Sequence, residues 1–307
     1  MRASALLLWV ALGVTSFWRT SPVEAQDLQY DENRRIYILT YIDTANSARR
    51  VEVMPPNHIQ PALSLLIENS GSGTYAYQYE VSNASGALST QSVEDIEIPC
   101  PADGAVLALE VPSDWVADYE FTHRLGSFIC GFTATGEHAT IAPGQRLTGF
   151  AMTSGYLPQI VEAAVWGGLL DDPGLPGLGE VGPELADLYS RAVGASGGWF
   201  SVLVVAPGRA PDEVGRPQQG IRLISTDLSR TCSIGWISQS GVCRSLQVKL
   251  DAAAASLVRG PVEGARSQLQ SFLKELEAQH GPQPGKYVSD NAYWLLRTNV
   301  QYLLSRL

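Results

Sequence analysis

The stretch that decides the fold is Thr74–Val81, with the sequence TYAYQYEV. Aromatic residues alternate here with smaller or polar ones, and successive side chains of a β-strand point to opposite faces of the sheet. Tyr75, Tyr77 and Tyr79 therefore share one face of a strand with Val81. A row of aromatic residues at this spacing usually belongs to a core, so we expect these rings to be buried. The alternative is an exposed aromatic platform for sugar rings.

Short runs of the same kind lie on both sides of this strand, between Ile36 and about Gly167. They are Ile36–Ile42, Leu63–Ile67, Ser92–Ile98, Ala105–Val111, Phe128–Thr133, Gln145–Thr153 and Ile160–Trp166. Turn-forming clusters of Gly, Asn, Ser and Pro separate them. Parallel strands would need crossover segments of a dozen residues or more, so the short connections predict an antiparallel β-sandwich, of the immunoglobulin or jelly-roll kind, over residues 26–208. A turn-rich insertion with a short helix is expected at 168–198, before a further strand at Phe200–Val205.

The period of the apolar residues changes from two to about 3.6 near the end of the chain. Three apolar stripes follow one another, separated by Gly260-Pro261 and Gly281-Pro282, and Ser289 is suited to cap the third helix. The stripes contain Leu246, Leu250, Ala253, Ala254 and Leu257; Leu269, Phe272, Leu273 and Leu276; and Ala292, Leu295, Leu296, Val300, Leu303 and Leu307. We therefore expect a three-helix bundle over 235–307, joined to the sandwich by a linker at 209–234 that is rich in Pro and Gly.

This helical segment resembles a known family. The matching positions are Gly235-Trp236-Ile237, Ser245-Leu246, Lys249–Ala253, Ala265, Gln268-Leu269, Phe272-Leu273, Gly285-Lys286, Ser289 and Ala292. They are similar to the FIMAH module, a small helical domain at the C-terminal end of many secreted bacterial proteins. The resemblance implies an exported bacterial protein and transfers no catalytic residue. The N-terminal region is similar to uncharacterised sandwich domains of exported bacterial proteins, through Tyr77–Asn83, Pro112–Trp115 and Ile141–Gly144.

Residues 1–25 have the organisation of a secretory signal peptide. Arg2 supplies the positive charge, Ala5–Val14 forms a short apolar core, and Val23-Glu24-Ala25 places small residues at the cleavage site. We expect the mature chain to begin near Gln26 and to be secreted or periplasmic. No later apolar run has the eighteen or so residues of a membrane span. The net charge of −10 disfavours nucleic acid as a partner.

The four cysteines are Cys100, Cys130, Cys232 and Cys243. In an oxidising compartment an even number of cysteines indicates disulfides, and four cysteines allow three connectivities. The chain order favours the local pairs Cys100–Cys130 and Cys232–Cys243. A zinc site would need C-x₂-C or Cys/His spacing that neither pair shows, so no metal ligand is assigned.

One segment matches a catalytic pattern formally. Residues 194–198 fit G-x-S-x-G around Ser196. A nucleophile elbow needs a strand before the serine and a helix after it, but here the helical segment precedes Ser196 and the strand Phe200–Val205 follows. We therefore interpret this segment as a Gly/Ser turn and do not expect Ser196 to be a nucleophile.

The remaining candidate residues are scattered histidines and acidic pairs. His58, His123, His138 and His280 lack the spacing of metal-binding histidines, and Asp31-Glu32 and Asp171-Asp172 lack the calcium-loop pattern. No catalytic or cofactor-binding residue is therefore assigned, and no cofactor is expected.

Taken as a sequence, the chain is best explained as a non-catalytic exported bacterial protein. It would act in the periplasm or the extracellular space, where it binds a protein or glycan partner. One alternative is a secreted hydrolase acting on glycans or esters, with a carboxylate pair in the sandwich loops. Another is a structural component of the envelope. A concave cleft with an aromatic lining and two close carboxylates would favour the hydrolase.

Overall fold

The computed structural model describes residues 27–34, 36–42, 45, 47–53, 58–85, 91–102, 105–122, 126–136, 139–168, 199–260 and 262–307. The strands within these ranges are β1 (Asp27–Asp31), β2 (Ile36–Ile42), β3 (Ala48–Val53), β4 (Pro61–Asn69), β5 (Tyr75–Asn83), β6 (Val93–Pro99), β7 (Val106–Glu110), β8 (Trp115–Thr122), β9 (Ser127–Ala134), β10 (Arg146–Ser154), β11 (Leu157–Gly167) and β12 (Phe200–Arg209). The helices are α1 (Pro211–Gly215), α2 (Pro217–Ser233), α3 (Ser240–Arg259), α4 (Val262–Gln279) and α5 (Asp290–Arg306).

The strands form three antiparallel sheets. The sheet of β1, β2 and β3 has a small buried cluster of its own around Leu39 and Tyr41. The other two have the strand orders β4-β5-β10-β7 and β12-β11-β6-β9-β8. The sequence assigned all strands from residue 26 onward to one sandwich, whereas residues 27–53 form this separate sheet.

The four-stranded and five-stranded sheets pack face to face. The Tyr79 hydroxyl on β5 donates to the carbonyl of Val205 on β12 at 3.0 Å. The Phe150 ring on β10 meets the edges of Trp115 on β8 and Phe132 on β9, with centroids 4.8 and 5.6 Å apart. These contacts cross from one sheet to the other, so the predicted antiparallel β-sandwich is confirmed.

The tyrosines of β5 lie inside this sandwich. Tyr75, Tyr77 and Tyr79 are 5, 0 and 2% exposed. Burial raises the pKa of Tyr77 and Tyr79 well above the ordinary value, because the phenolate would lose its hydration. The core interpretation is confirmed, and the exposed aromatic platform is wrong.

The three predicted helices correspond to α3, α4 and α5. The Ser289 hydroxyl accepts from the backbone N–H of Ala292 at 3.3 Å, as a capping residue should. Gly260 ends α3 with a φ of 107°, a conformation that favours glycine.

The predicted linker at 209–234 is wrong, because most of this segment is helical. The helix α2 starts at Pro217, where a proline at the first turn is well tolerated, and it buries Ile221, Ile224 and Leu228 on one face. Of the residues that indicated a linker, Pro211 and Pro217 begin α1 and α2, Gly215 ends α1, and Gly220 lies near the start of α2. The helical region therefore has a fourth long helix that packs on α3 and α5.

The helices dock against the sandwich and share its hydrophobic core. Helix α5 contacts β4, the edge strand of the four-stranded sheet, and also β11 and β12 of the five-stranded sheet. The buried Asn291 side chain donates to the carbonyl of Leu63 at 2.9 Å, and Asn299 donates to that of Pro158 at 3.0 Å. Helix α5 therefore closes the side of the sandwich where β4 and β12 end the two sheets.

Both predicted disulfides are present. Cys100–Cys130 links the end of β6 to β9, with Cα atoms 6.0 Å apart. Cys232–Cys243 links the end of α2 to the start of α3, with Cα atoms 6.2 Å apart. In the described part of the chain, each helix is too short or too polar to cross a membrane.

Candidate functional site

A groove of about 650 Å³ lies on the outer face of the four-stranded sheet. Its floor comes from β4, β5, β7 and β10, and one wall comes from the junction of α4 and α5. The polar side chains of the floor are Ser64, Gln78, Glu80, Glu110, Thr148 and Thr153. The wall contributes His280, Asp290 and Trp294. The groove therefore combines elements of the sandwich and of the helical region.

The alternation of β5 builds the floor and the core at once. Tyr77 and Tyr79 point inward, so Gln78 and Glu80 point outward from the same strand. In the register of the sheet, Gln78 and Glu110 flank Ala151 of β10, while Glu80 lies opposite Thr148. The small side chain of Ala151 leaves the middle of the sheet open, and the polar side chains surround the resulting groove.

A bulge in β10 shapes one end of the floor. The register shifts between Thr148 and Phe150, and Gly149 between them has a φ of +102°. This φ strains any residue with a Cβ, so glycine is required for the bulge. The bulge turns Phe150 into the core and leaves Thr148 in the groove.

The wall is a set of stacked rings held by polar contacts. The His280 ring stacks on Tyr293 with centroids 3.8 Å apart and planes within 4°. Its Nε2 lies 2.7 Å from Oδ1 of Asp290, which favours the ring orientation seen here. Trp294 meets the Tyr293 ring edge to face at 5.0 Å, and the Arg297 guanidinium lies 5.1 Å from the Trp294 ring centroid. These contacts restrict the motion of the wall.

The floor is rich in hydrogen-bond acceptors. Glu80 accepts from Arg146 at 3.2 Å, and the Gln78 amide donates to Glu68 at 3.1 Å. Glu110 and Asp290 add two further carboxylates to the lining. An ionised carboxylate offers only acceptor positions, so this floor suits a ligand that presents several hydroxyl or N–H groups.

The structure brings only one of the sequence candidates into the groove. His280 lies in its wall, although the sequence indicated an isolated histidine. Asp31 accepts from the backbone N–H groups of Asn33 and Arg34 in the β1–β2 turn, which gives it a structural function. Ser196, His123, His138, Asp171, Asp172 and the signal segment 1–25 lie outside the described residues. Most of the predicted insertion at 168–198 also lies outside them.

Metal-ligating side chains are dispersed over the described parts of the molecule. Within these ranges no three His, Cys, Asp or Glu side chains are grouped closely enough to hold a metal ion.

The groove residues Gln78, Glu80, Glu110 and Trp294 were not singled out from the sequence. The alternation of β5 does predict that Gln78 and Glu80 are directed outward, because they lie on the opposite side of the strand from the buried tyrosines.

The helices that supply the groove wall have a recognisable family pattern. Residues 221–305 match the family model of the FIMAH domain. The match confirms the resemblance drawn from the sequence, and it spans α2 to α5, so it includes the helix that the sequence interpretation missed. The FIMAH region therefore contributes His280, Asp290 and Trp294 to the groove.

Other comparisons add little. A crystal structure of an uncharacterized protein from Nocardia farcinica, described as revealing an immunoglobulin-like fold, is 14% identical and covers 40% of this chain and 91% of its own, with a TM-score of 0.28. At this score the likeness carries no argument. A comparison with curated proteins gave no match.

Proposed function

We propose that this is an exported, non-catalytic protein that binds a glycan chain in the groove between the four-stranded sheet and the FIMAH region. The observation that carries the proposal is the position of Trp294 beside a floor of amide, hydroxyl and carboxylate groups. Sugar hydroxyls donate to carboxylates, and the apolar face of a sugar ring packs on an indole. The two disulfides and the pattern of residues 1–25 support an oxidising compartment outside the cytoplasm.

The fixed partners of the groove residues support binding. His280 is held by Asp290 and by the Tyr293 ring. Side chains with restrained positions lose little conformational entropy when a ligand binds, which raises affinity. A preorganised surface of this kind suits recognition of a neutral, hydroxyl-rich chain.

A glycan array probed with residues 26–307 tests the proposal. For the glycan that binds, Trp294→Ala and Gln78→Ala should each weaken binding at least about tenfold, or roughly 1.4 kcal/mol. The matched aromatic control is Phe121→Ala on β8, which is 47% exposed and lies outside the groove lining. Unchanged affinity in both groove variants, or an equal loss in the control, would contradict the proposal.

A secreted hydrolase is the second candidate, because the groove holds several carboxylates. Glu80 and Glu110 lie on the strands on either side of β10, and glycosidases use two carboxylates that flank the scissile bond. These carboxylates are on strand faces, not in the sandwich loops where the sequence interpretation placed such a pair. Release of reducing ends from a bound glycan, abolished by Glu110→Gln while binding persists, would establish the hydrolase. Binding without turnover in the wild-type protein favours the first proposal.

A further inference from the structure

A second pocket, of about 110 Å³, lies between α5 and the β4–β5 hairpin. The hairpin contributes Asn69 and Tyr75, and α5 contributes Arg297, Gln301 and Tyr302. It shares no lining residue with the groove. Ligand pockets for drug-sized molecules measure roughly 300–1,000 Å³, so this one admits only a compact group and excludes a sugar ring or a peptide.

The lining of this pocket is positively charged and contains no carboxylate. Arg297 is the charged residue of the lining. Arg306, one helical turn beyond Tyr302, donates to the Tyr302 hydroxyl through Nε at 3.2 Å and Nη2 at 3.0 Å. Among the described residues, neither arginine forms a salt bridge with an acidic group.

The neutral side chains around these arginines supply further donors. Gln301 and Asn69 carry amide N–H groups, and Tyr75 and Tyr302 carry hydroxyls. Burial raises the pKa of Tyr75, and Arg306 opposes that effect, so the Tyr75 hydroxyl keeps its proton at neutral pH. A guanidinium surrounded by hydroxyl and amide donors has the chemistry of an oxyanion site.

We infer that the pocket lined by Tyr75, Arg297 and Tyr302 binds a compact oxyanion, a sulfate or phosphate group. Arg297 would supply the paired N–H donors, and the hydroxyls and amides would complete the shell. Trp294 and Tyr293 under the Arg297 guanidinium, at 5.1 and 5.7 Å, limit its rotation and preorganise it for this contact. The group can come from a free inorganic ion or from a sulfate or phosphate ester on a larger ligand.

Isothermal titration of residues 26–307 with sodium sulfate and with sodium phosphate tests this site. We expect saturable binding of at least one anion that weakens at least tenfold in Arg297→Gln. Tyr75→Phe removes only a hydroxyl and should also weaken binding with little effect on folding. The matched control is Arg222→Gln on α2, an exposed arginine outside the pocket, which removes the same charge and should bind as the wild type does.

Two results would overturn the inference. One is the absence of saturable binding to the wild-type protein. The other is a loss of affinity in Arg297→Gln that is no larger than the loss in Arg222→Gln, either because both variants bind as the wild type does or because both are weakened equally. A second titration with glucose 6-sulfate and glucose 6-phosphate distinguishes the sources, since an ester that binds more tightly than the free ion indicates a larger ligand. Gln78→Ala, on the groove floor and outside the lining of this pocket, should leave anion binding within threefold of wild type, so this site and the glycan groove can fail independently.

Discussion

A buried ion pair connects the end of the sandwich to the first long helix. The Arg209 guanidinium at the end of β12 binds both carboxylate oxygens of Asp227 on α2, and the two side chains are 13 and 4% exposed. Burial raises the pKa of Asp227, while the guanidinium acts in the opposite direction. The cost of burying the carboxylate is therefore offset in part by its partner, and removal of that partner leaves a larger cost.

Replacement of Arg209 by Met should destabilise the protein by about 3–5 kcal/mol at neutral pH, because Asp227 becomes a buried charge without its guanidinium. The folded-state pKa of Asp227 then rises further above the unfolded value. The deficit should be smallest below about pH 4, where the carboxyl is protonated in both states, and should grow as the pH rises through the folded-state pKa. Urea unfolding at pH 4 and pH 7.5 measures this difference.

The double variant Arg209→Met/Asp227→Leu is the control for this prediction. It replaces the pair by apolar side chains and should recover most of the lost stability. A deficit that does not change with pH, or that persists in the double variant, would show that Arg209 acts through packing and not through its charge.

Individual residues were predictable from the sequence only where their partners are close along the chain. The tyrosine face of β5 and the Cys232–Cys243 pair, 11 residues apart, follow from local pattern and spacing. Asn291 and Asn299 donate to carbonyls 228 and 141 residues away, and their positions within α5 gave no local signal for burial. Long-range polar contacts depend on docking, which a single sequence does not display.

At the scale of elements, hydrophobic period predicted the buried strands and three long helices. It failed for α2, because Pro and Gly at 211–220 obscured the apolar face of Ile221, Ile224 and Leu228. It also failed for β8, an edge strand whose residues are mostly exposed and therefore lack a strict alternation. The spacing of apolar residues reflects which residues of an element are buried, so an element with one weakly buried face shows only a weak apolar period.

The packing of α4 can be tested at Phe272, which is fully buried in the shared core. Phe272→Ala should cost about 3–5 kcal/mol, because it removes a large side chain and leaves a cavity. The control Val258→Ala, at a position 82% exposed at the end of α3, should change stability by less than about 0.5 kcal/mol. Guanidinium unfolding followed by far-UV circular dichroism compares the two. Equal stability of both variants would mean that α4 does not pack as described.

The Cys232–Cys243 disulfide should stabilise the junction of α2 and α3. Closing a loop of 11 residues restricts the unfolded chain, which corresponds to roughly 3 kcal/mol. The variant Cys232→Ala/Cys243→Ala should lose stability of this order, measured by the same unfolding experiment. Reduction of the wild-type protein breaks both Cys232–Cys243 and Cys100–Cys130 and serves as the control. The reduced wild-type protein should be destabilised at least as much as the double variant. A double variant as stable as the oxidised wild type would contradict the prediction.

At the scale of the whole molecule, the candidate site arises from the contact of two regions. The groove takes its floor from strands between residues 61 and 154 and its wall from residues 280–294. The sequence predicted both regions but not their contact, because the surfaces that meet are separated by more than a hundred residues. The continuous core explains why they meet, since α5 covers apolar residues that the two sheets leave open at the β4 and β12 edges.

This shared core predicts that the sandwich and the FIMAH region unfold together. If α5 is part of the sandwich core, loss of the helices exposes the β4 and β12 edges, and neither part keeps enough buried surface to remain folded. Helical circular dichroism at 222 nm and near-ultraviolet dichroism from the buried tyrosines of β5 should therefore give coincident denaturation midpoints. Asn299→Ala leaves the carbonyl of Pro158 without this donor, which should lower the free energy of unfolding by about 1–3 kcal/mol and shift both midpoints equally. A helical signal lost while the tyrosine signal persists would instead establish two independent domains.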